Sequence, residues 1–258
     1  MTVAAASLTA ATLTDDQIAA FKRDGFLLAP AVFAPDDVAR ISRWTDELVA
    51  MPEEPGRHWV YHEKSLKDSS RRLISRIENI CPFHAGFAEL ADVLRKPVAQ
   101  LMSEPALLFK EKINFKMPGG DGFKPHQDSQ AGWEKYASYF ITAMVCIDEA
   151  TIENGCLKIA AGHHNKGLAR AWEPLTDADM AGMDFKPYPT KPGDVVFLDT
   201  YAPHSSEPNM TDRTRRMYFS TYNKASEGDH IAAYYADKRK SYPPDIEREA
   251  GKTYVFRV

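Results

Sequence analysis

Apolar residues recur every three or four positions in the first hundred residues, which is the spacing of helices that bury one face. The stretch TDDQ at residues 14–17 has the form of a capping box and predicts the start of a first helix. A second helix begins at Pro35, and a third helical region covers residues 83–103 with a break near Pro97. The pattern therefore predicts a mainly helical part over residues 14–103.

From about residue 106 the period changes to two, which is typical of strands with one buried face. In ALLFKEKINFKM (106–117) the polar residues Lys110, Lys112, Asn114 and Lys116 alternate with Glu111, Ile113, Phe115 and Met117. Further strand-like stretches are YFITAMVCI (139–147), CLKIA (156–160), DVVFLD (194–199) and RMYFSTYN (216–223). Helices followed by strands predict an α+β protein with two antiparallel sheets folded over each other.

Length and composition favour one domain over residues 1–258. With 44% hydrophobic residues, a chain of 258 residues can bury one large core. Within that domain we expect residues 1–13 to be frayed, residues 14–103 to be mainly helical and residues 104–258 to form the strand-rich core. The Ala/Thr-rich start lacks the basic and apolar regions of a secretory signal.

Charge and cysteine content narrow the class of protein. A net charge of -4, with lysines and arginines scattered along the chain, argues against a nucleic-acid partner. No stretch approaches the length of a membrane span. Three cysteines without a CxxC pair are typical of the reducing cytoplasm. We expect a cytoplasmic protein whose partner is a small-molecule substrate, and nothing in the pattern specifies an oligomeric state.

The candidate chemistry begins at the triplet His126-Gln127-Asp128, which follows the glycine-rich segment MPGGDG. In a chain with eight histidines, one such triplet carries little weight by itself. A later segment, PGDVVFLDTYAPHSSEPNMTDRTRR (192–216), contains a strand that runs into His204. Two histidines and one carboxylate from strand ends make the facial triad that holds non-haem Fe(II) and leaves open coordination positions.

The chain resembles the phytanoyl-CoA dioxygenase family of Fe(II)/2-oxoglutarate oxygenases in the order and spacing of five segments. These are HQD (126–128), ENGCLKIAAGHH (153–164), KPGDVVFLD (191–199), His204-Ser205-Ser206, and Arg215 eleven positions after His204. One departure is Ala161-Gly162-His163-His164, where the family often has Pro-Gly-Ser-His, and it affects the expected shape of that loop.

The resemblance implies a double-stranded β-helix core (a jelly roll, cupin-like) with the N-terminal helices packed on it. It implies Fe(II), 2-oxoglutarate as cosubstrate and O2, with ascorbate as a candidate activator. By the same resemblance His126, Asp128 and His204 are the iron ligands and catalytic centre, and Arg215 with Ser206 binds the far carboxylate of 2-oxoglutarate. A planar guanidinium suits that task because it donates two parallel hydrogen bonds.

Other residues compete for contacts with the cosubstrate. Arg213 and Arg216 lie near Arg215, but the eleven-residue spacing favours Arg215, and strand alternation turns Arg216 to the opposite face. Asn114 and Thr142 are further candidates because each projects from a strand expected to line the barrel. The alternative for both is ordinary strand polarity.

The resemblance implies hydroxylation coupled to decarboxylation of 2-oxoglutarate, and Asp128 favours hydroxylation because related halogenases have a small residue in its place. Within the family the chain is most similar to enzymes that hydroxylate small organophosphonates such as 2-aminoethylphosphonate. Three lysines are candidates for an anionic head group and three aromatic residues for an ammonium group: Lys112, Lys116 and Lys124, and Trp133, Tyr136 and Tyr139. The alternative is that the lysines are solvated and the aromatic residues fill the core.

Two other classes of protein remain open. A cupin-like metal-binding protein without 2-oxoglutarate chemistry would not need Arg215 and Ser206. An inactive relative that serves as a binding module would lose a ligand. All of these residues are present, so an oxygenase is favoured, with an amino acid, a compatible solute or a natural-product intermediate as the alternative substrate.

Overall fold

The computed structural model of the protein describes residues 7–9 and 12–255. The described residues form four α-helices: α1 (Asp15–Asp24), α2 (Pro35–Ala50), α3 (Ala85–Met102) and α4 (Ile231–Ser241). They also form eleven strands: β1 (Phe26–Ala29), β2 (Trp59–Lys64), β3 (Arg72–Glu78), β4 (Ala106–Lys116), β5 (Phe123–His126), β6 (Phe140–Cys146), β7 (Leu157–Ala160), β8 (Phe185–Tyr188), β9 (Val195–Asp199), β10 (His204–Ser206) and β11 (Arg215–Lys224). No helix among these residues is long and apolar enough to cross a membrane.

The strands form two antiparallel sheets. The large sheet has the order β1-β9-β6-β11-β4-β3-β2, and the small sheet has the order β5-β10-β7-β8. Apolar residues of the two sheets pack against each other, including Met144 and Met217 of the large sheet with Leu157 and Ile159 of the small one. The predicted α+β class and the cupin-like core of two facing sheets are confirmed.

The helices α1, α2 and α3 cover the outer face of the large sheet. Phe87, Leu90 and Leu94 of α3 join the same apolar cluster as Ile113 of β4 and Ile141 of β6. The three residues of α3 recur at helical spacing, whereas the strand residues lie on the face that turns away from the small sheet. This division leaves the inner face of the large sheet free to carry polar side chains.

The start of α1 follows the predicted capping box. The Gln17 amide donates to the Thr14 hydroxyl at 3.3 Å, and the Thr14 amide donates to the Gln17 side chain at 2.9 Å. The predicted break near Pro97 is wrong, because α3 is continuous through that residue. Proline costs a helix about 3 kcal/mol, and burial of four large residues of α3 (Phe87, Leu90, Leu94 and Val98) against the sheet offsets this cost.

The segment from 14 to 103 is less helical than predicted, because it also contributes β1, β2 and β3 to the large sheet. These strands are 4, 6 and 7 residues long, too short to establish a clear period. The expectation that residues 1–13 are frayed is also wrong where the structure describes them. Leu8 and Leu13 are buried, and their amides donate to side chains of α3. Residues 1–6, 10 and 11 lie outside the described residues.

Candidate metal centre and the cavity around it

The three predicted metal ligands meet where β5 and β10 lie side by side in the small sheet. His126 ends β5 and is paired with His204, the first residue of β10. Asp128 follows two residues later and begins a short 3-10 turn, Asp128–Ala131. An Asp128 carboxylate oxygen lies 3.6 Å from Nε2 of His126 and 3.9 Å from Nε2 of His204. The local backbone therefore places all three side chains at one point.

Hydrogen bonds set the orientation of both imidazole rings. Nδ1 of His126 lies 2.7 Å from the carbonyl oxygen of Lys124, and Nδ1 of His204 lies 3.0 Å from that of Ala202. Each Nδ1 is the donor in such a contact, which leaves Nε2 with a lone pair for a metal. Burial and the neighbouring His126 lower the pKa of His204 to about 4, so its ring is neutral and able to ligate at neutral pH.

Asp128 is held in its ionised form. Burial alone would raise the pKa of this carboxyl, but the hydrogen bond with His126 and the proximity of His204 and Lys112 keep its pKa well below the ordinary value. One ligand atom from each of the three residues lies within 4.8 Å of the others. Two imidazoles and one carboxylate in this compact arrangement fit Fe(II) in a facial triad.

Arg215 begins β11 and points to the inner face of the large sheet, into the same cavity. Its side chain is 4% exposed, and its Nε has no hydrogen-bond partner among the residues that the structure describes. Burial lowers the pKa of Arg215 to about 10, so the guanidinium keeps its charge. A buried guanidinium without a partner requires an anion. This observation agrees with a site for the far carboxylate of 2-oxoglutarate.

Ser206 lies beside Arg215, and Lys116 sets the orientation of its hydroxyl. The Lys116 ammonium donates to the Ser206 hydroxyl at 2.8 Å, to the carbonyl oxygen of Gly155 at 3.5 Å and to that of Glu207. Since Ser206 accepts from Lys116, its own proton is available for a ligand in the cavity. Lys116 therefore serves the Arg215 end of the cavity rather than a substrate head group.

The two competing arginines lie elsewhere. Arg216 is on the outer face, where it pairs with Asp148 at 2.8 Å and with Asp46 at 2.7 Å. Strand alternation thus turns Arg216 to the face opposite to that of Arg215, as predicted. Arg213 is exposed and lies 3.8 Å from Glu149. Neither guanidinium is among the residues that line the cavity.

The two further candidates for cosubstrate contacts differ in position. Asn114 lines the cavity, and its side-chain oxygen has no hydrogen-bond partner among the described residues. Thr142 is buried on β6, where its hydroxyl lies 2.9 Å from that of Thr221, and it is not among the lining residues. We therefore keep Asn114 as a candidate, whereas nothing in the structure supports the prediction for Thr142.

The cavity has a volume of about 640 Å³ and extends well beyond the metal ligands. Its far part is lined by residues of the inner face of the large sheet, by α4 and by the turn after β5. Lys112 faces the cavity from β4, two residues before Asn114, and is paired with Phe219 of β11. On the other side of β4, β3 places Arg76 opposite Asn114. Lys110 and Lys238 complete this cationic lining.

Sequence reasoning missed Arg76, Lys238 and their shared carboxylate, Glu78. Nε of Arg76 lies 3.1 Å from one Glu78 oxygen, and the Lys238 ammonium contacts the other. Burial alone would raise the pKa of Glu78, but Arg76 and Lys238 lower it to about 2. Arg76 and Glu78 are two positions apart in RLISRIE, and this spacing on a recognised strand would have indicated one shared face.

Two lysines of β4, Lys110 and Lys116, are buried, and Lys112 is half-buried. Lys110 is 7% exposed and Lys116 is 1% exposed. Burial and the charge of Lys110 lower the pKa of Lys112 to about 7. The predicted role in binding an anion thus remains open for Lys112, while Lys124 is exposed and does not line this cavity.

The aromatic residues proposed to bind an ammonium group already have cations of the protein on their rings. The Lys110 ammonium lies 4.1 Å from the ring centroid of Trp133, and the Lys135 ammonium lies 4.6 Å from that of Tyr136. Tyr139 does not line the cavity, and its hydroxyl donates to Asp199 at 2.9 Å. The expectation that these rings face the substrate's ammonium therefore has no support for Tyr139, and it stays a prediction for Trp133 and Tyr136, which line the cavity.

Two histidines and one aspartate at neighbouring strand ends of a double-stranded β-helix, with a buried arginine in the same cavity, define a class of protein. That class is the non-haem iron oxygenases that use 2-oxoglutarate.

Comparison with known proteins narrows the class to a family. A family model described as phytanoyl-CoA dioxygenase matches residues 21–217, and the chain belongs to this family. The chain is 40% identical over 245 residues to a 2-aminoethylphosphonate dioxygenase of uncultured bacterium HF130_AEPn_1, with 93% of each chain covered. It is 37% identical over 235 residues to a methylphosphonate hydroxylase of Gimesia maris, with 90% of this chain and 88% of the relative covered.

A solved structure supports the fold. The crystal structure of EctD from S. alaskensis with 2-oxoglutarate and 5-hydroxyectoine matches with a TM-score of 0.70 at 22% identity. The match covers 83% of this chain and 77% of that one. At this level of identity the likeness concerns the arrangement of sheets and helices.

Proposed function

We propose that this protein hydroxylates a small organophosphonate, such as 2-aminoethylphosphonate or a close analogue, at the carbon next to phosphorus. The observation that carries the proposal is the similarity over about nine-tenths of the chain to two relatives named for phosphonate oxidation. The complete set of metal ligands and the buried Arg215 support an active enzyme rather than a binding module.

In this proposal His126, Asp128 and His204 hold Fe(II), and Arg215 with Ser206 holds the far carboxylate of 2-oxoglutarate. When bound, the iron and the cosubstrate supply the oxidising power that converts a C–H bond of the substrate into C–OH, while 2-oxoglutarate and O2 yield succinate and CO2. Balance requires that one oxygen atom of O2 enters the product and the other enters succinate.

The protein's own groups orient the reactants and exclude water. The carbonyl oxygens of Lys124 and Ala202 hold the two imidazoles in one tautomer, so that neither ring turns when a ligand binds. Arg215 offers two parallel N–H donors to a carboxylate, and Ser206 offers a third. Phe219 and Met217 line the cavity between Arg215 and Lys112 and present apolar surface next to the reacting carbon.

We also propose that the chain acts as a single domain in the cytoplasm. Cys81, Cys146 and Cys156 are all free, and the last two are buried. Free thiols in the absence of disulfides among the described residues support a reducing compartment.

The test is an incubation of the Fe(II) protein with 2-oxoglutarate and O2, in which succinate and hydroxylated product are followed together. The substrates compared are 2-aminoethylphosphonate, methylphosphonate and the carboxylate analogue β-alanine. We expect a phosphonate to raise succinate release above the uncoupled background and to yield a 1-hydroxy product. The His126→Ala protein provides the background without the metal centre.

If no phosphonate raises succinate release while an amino acid or another non-phosphonate does, the substrate assignment is wrong. The oxygenase class would survive that result, because the same assay would register the other substrate.

A further inference from the structure

Four cations converge in the part of the cavity that lies away from Arg215. Arg76 comes from β3, Lys110 and Lys112 come from β4, and Lys238 comes from α4. We name these four residues the head-group cluster. Three separate segments supply it, and α4 packs against β4 to close it from one side.

Among the residues that the structure describes, one carboxylate forms ion pairs with the head-group cluster. Glu78 is 1% exposed and forms ion pairs with Arg76 and Lys238. The ammonium groups of Lys110 and Lys112 have no hydrogen bond or ion pair with any residue in the described part of the chain, and each lies over an aromatic ring instead. Lys110 lies over Trp133 at 4.1 Å, and Lys112 lies over Phe219 at 5.0 Å. One carboxylate beside four basic side chains leaves room for a dianion. Because burial lowers the pKa values of the three lysines, that of Lys112 to about 7, a bound dianion would favour their charged forms.

The head-group cluster is distinct from the Arg215 end. Arg215 is paired with Lys116, and Lys112 is four residues earlier on the same strand. Four residues of an antiparallel strand span about 13 Å, so a single small carboxylate cannot contact both groups. The metal ligands line the same cavity as both ends. A cosubstrate at one end and a substrate at the other therefore have separate positions.

The cavity lacks a matching site for a cation among the residues that the structure describes. The carboxylates in its lining are Asp128 and Asp237. Asp128 belongs to the metal triad, and Asp237 accepts from the Lys135 ammonium at 2.8 Å and from the Tyr136 hydroxyl at 2.9 Å. Both carboxylates already have partners within the protein. The cavity therefore recognises the substrate mainly through the substrate's anionic group.

We infer that the head-group cluster is the subsite for the doubly charged phosphonate of the substrate, and that Lys110 and Lys112 are its specificity-determining residues. This inference rests on the proposed function for the identity of the substrate. Lys110 and Lys112 donate to phosphonate oxygens, Arg76 and Lys238 add positive charge from the Glu78 side, and the amine of an aminophosphonate makes only a minor contribution. A monoanionic carboxylate leaves part of the charge unbalanced and binds less tightly.

Calorimetric binding to the anaerobic Fe(II)·2-oxoglutarate protein tests this inference without turnover. The probes are methylphosphonate, 2-aminoethylphosphonate and β-alanine at a pH where the phosphonates are doubly charged. The variants are Lys110→Met and Lys112→Met, which keep side-chain length and leave Glu78 with both of its partners. Lys186→Met is the matched control, because its ammonium is exposed, lies 3.4 Å from Asp184 and is outside the cavity lining.

In wild type the two phosphonates should bind with affinities within about tenfold of each other and more tightly than β-alanine. Loss of one charge-assisted hydrogen bond weakens binding by about tenfold or more, so each test variant should bind methylphosphonate at least that much more weakly. Binding of 2-oxoglutarate and iron content should stay near wild type, and Lys186→Met should resemble wild type in every measurement. A variant that fails to fold is replaced by the other, since the two lysines are tested separately.

Two results separate this inference from the proposed function. If wild type turns over a phosphonate while Lys110→Met and Lys112→Met bind it normally, the subsite is wrong and the function stands. If no phosphonate is turned over but inorganic phosphate binds in a way that depends on Lys110 and Lys112, the subsite stands and the substrate is a different dianion.

Discussion

The two ends of the cavity carry positive charge in different ways. At one end Arg215 has no carboxylate partner, and Lys116 beside it is fully engaged by Ser206 and two backbone carbonyl oxygens. At the other end the head-group cluster surrounds one buried carboxylate, Glu78. In the proposed function the first end offers the planar guanidinium of Arg215 to one carboxylate, whereas the second end has three lysines and the guanidinium of Arg76 around one counter-charge.

The difference indicates how one cavity distinguishes two anions. A guanidinium and a hydroxyl in fixed orientation match the planar shape of a carboxylate. Lysine ammonium groups are point charges with rotatable donors, which suit the tetrahedral oxygens of a phosphonate. Since basic groups outnumber carboxylates at both ends in a largely buried setting, an anion bound at either end would stabilise their charged forms. The following experiments test that contrast.

The largest effect is expected at the metal triad, which both ends require. His126→Ala or His204→Ala should abolish iron binding and reduce turnover by roughly a thousandfold or more, because a two-ligand site no longer holds the metal in place. Iron per chain and succinate release measure this. His163→Ala, a half-buried loop histidine outside the cavity lining, should keep both near wild type. Full activity in either ligand variant would contradict the assignment.

The second-largest effect is expected when Arg215 loses its pair of parallel hydrogen-bond donors. Arg215→Lys keeps the charge but loses one of two parallel hydrogen bonds, which corresponds to about tenfold to a hundredfold in the KM for 2-oxoglutarate. The KM for the phosphonate should change much less. Arg216→Lys is the matched control because Arg216 pairs with Asp148 on the outer face. An unchanged 2-oxoglutarate requirement in Arg215→Lys would remove this residue from the cosubstrate site.

The Glu78→Gln substitution tests the charge balance of the head-group cluster. The substitution keeps the shape of the side chain but leaves Arg76 and Lys238 without their shared carboxylate, which should lower the free energy of unfolding by roughly 3 kcal/mol. Saturating methylphosphonate should recover part of that loss. Urea unfolding with and without the ligand measures both effects.

Glu111→Gln is the control for burial of a carboxylate as such. Burial raises the pKa of Glu111, which accepts the amides of Ile80 and Cys81 and has no cationic cluster around it. The Glu111→Gln protein should lose about 1 kcal/mol or less of the free energy of unfolding, relative to wild type. Equal stability of the Glu78→Gln protein and wild type would show that the head-group cluster is not strained by its charge.

The smallest expected effect is a difference in pH dependence. Burial and the charge of Arg215 lower the pKa of Lys116 from 10.5 to about 7 in the folded protein. Between pH 7 and 10.5 the unfolded chain therefore binds a proton at this lysine that the folded protein does not, so this lysine makes stability rise with pH. Lys116→Met should remove about 1 kcal/mol per pH unit of that rise. Unfolding of the metal-free proteins at pH 7 and pH 8.5 measures the two slopes, and parallel slopes would contradict the shifted pKa.

The sequence alone was sufficient for the first end of the cavity and for the metal triad. The three metal ligands lie at or just after strand ends: His126, Asp128 and His204. At such positions the short spacing in the sequence and the turn that follows β5 determine where each side chain points. Arg215 begins a strand of clear period, so its face could be predicted together with the opposite face of Arg216. The capping box of α1 and the α+β class are local patterns of the same kind, and the structure confirms them.

The composition of the head-group cluster depends on the tertiary structure. Local periodicity shows that Lys110 and Lys112 share a face, but whether that face is solvated depends on the remote elements that cover it. Here α4 supplies Lys238, and β3 supplies Arg76 in register with Asn114, although neither element has a local pattern that indicates its partner. The continuity of α3 through Pro97 has the same origin, since the sheet beneath it offsets the local cost. Burial and register are properties of the assembled sheets, and for that reason the charges of the head-group cluster become visible only in the folded molecule.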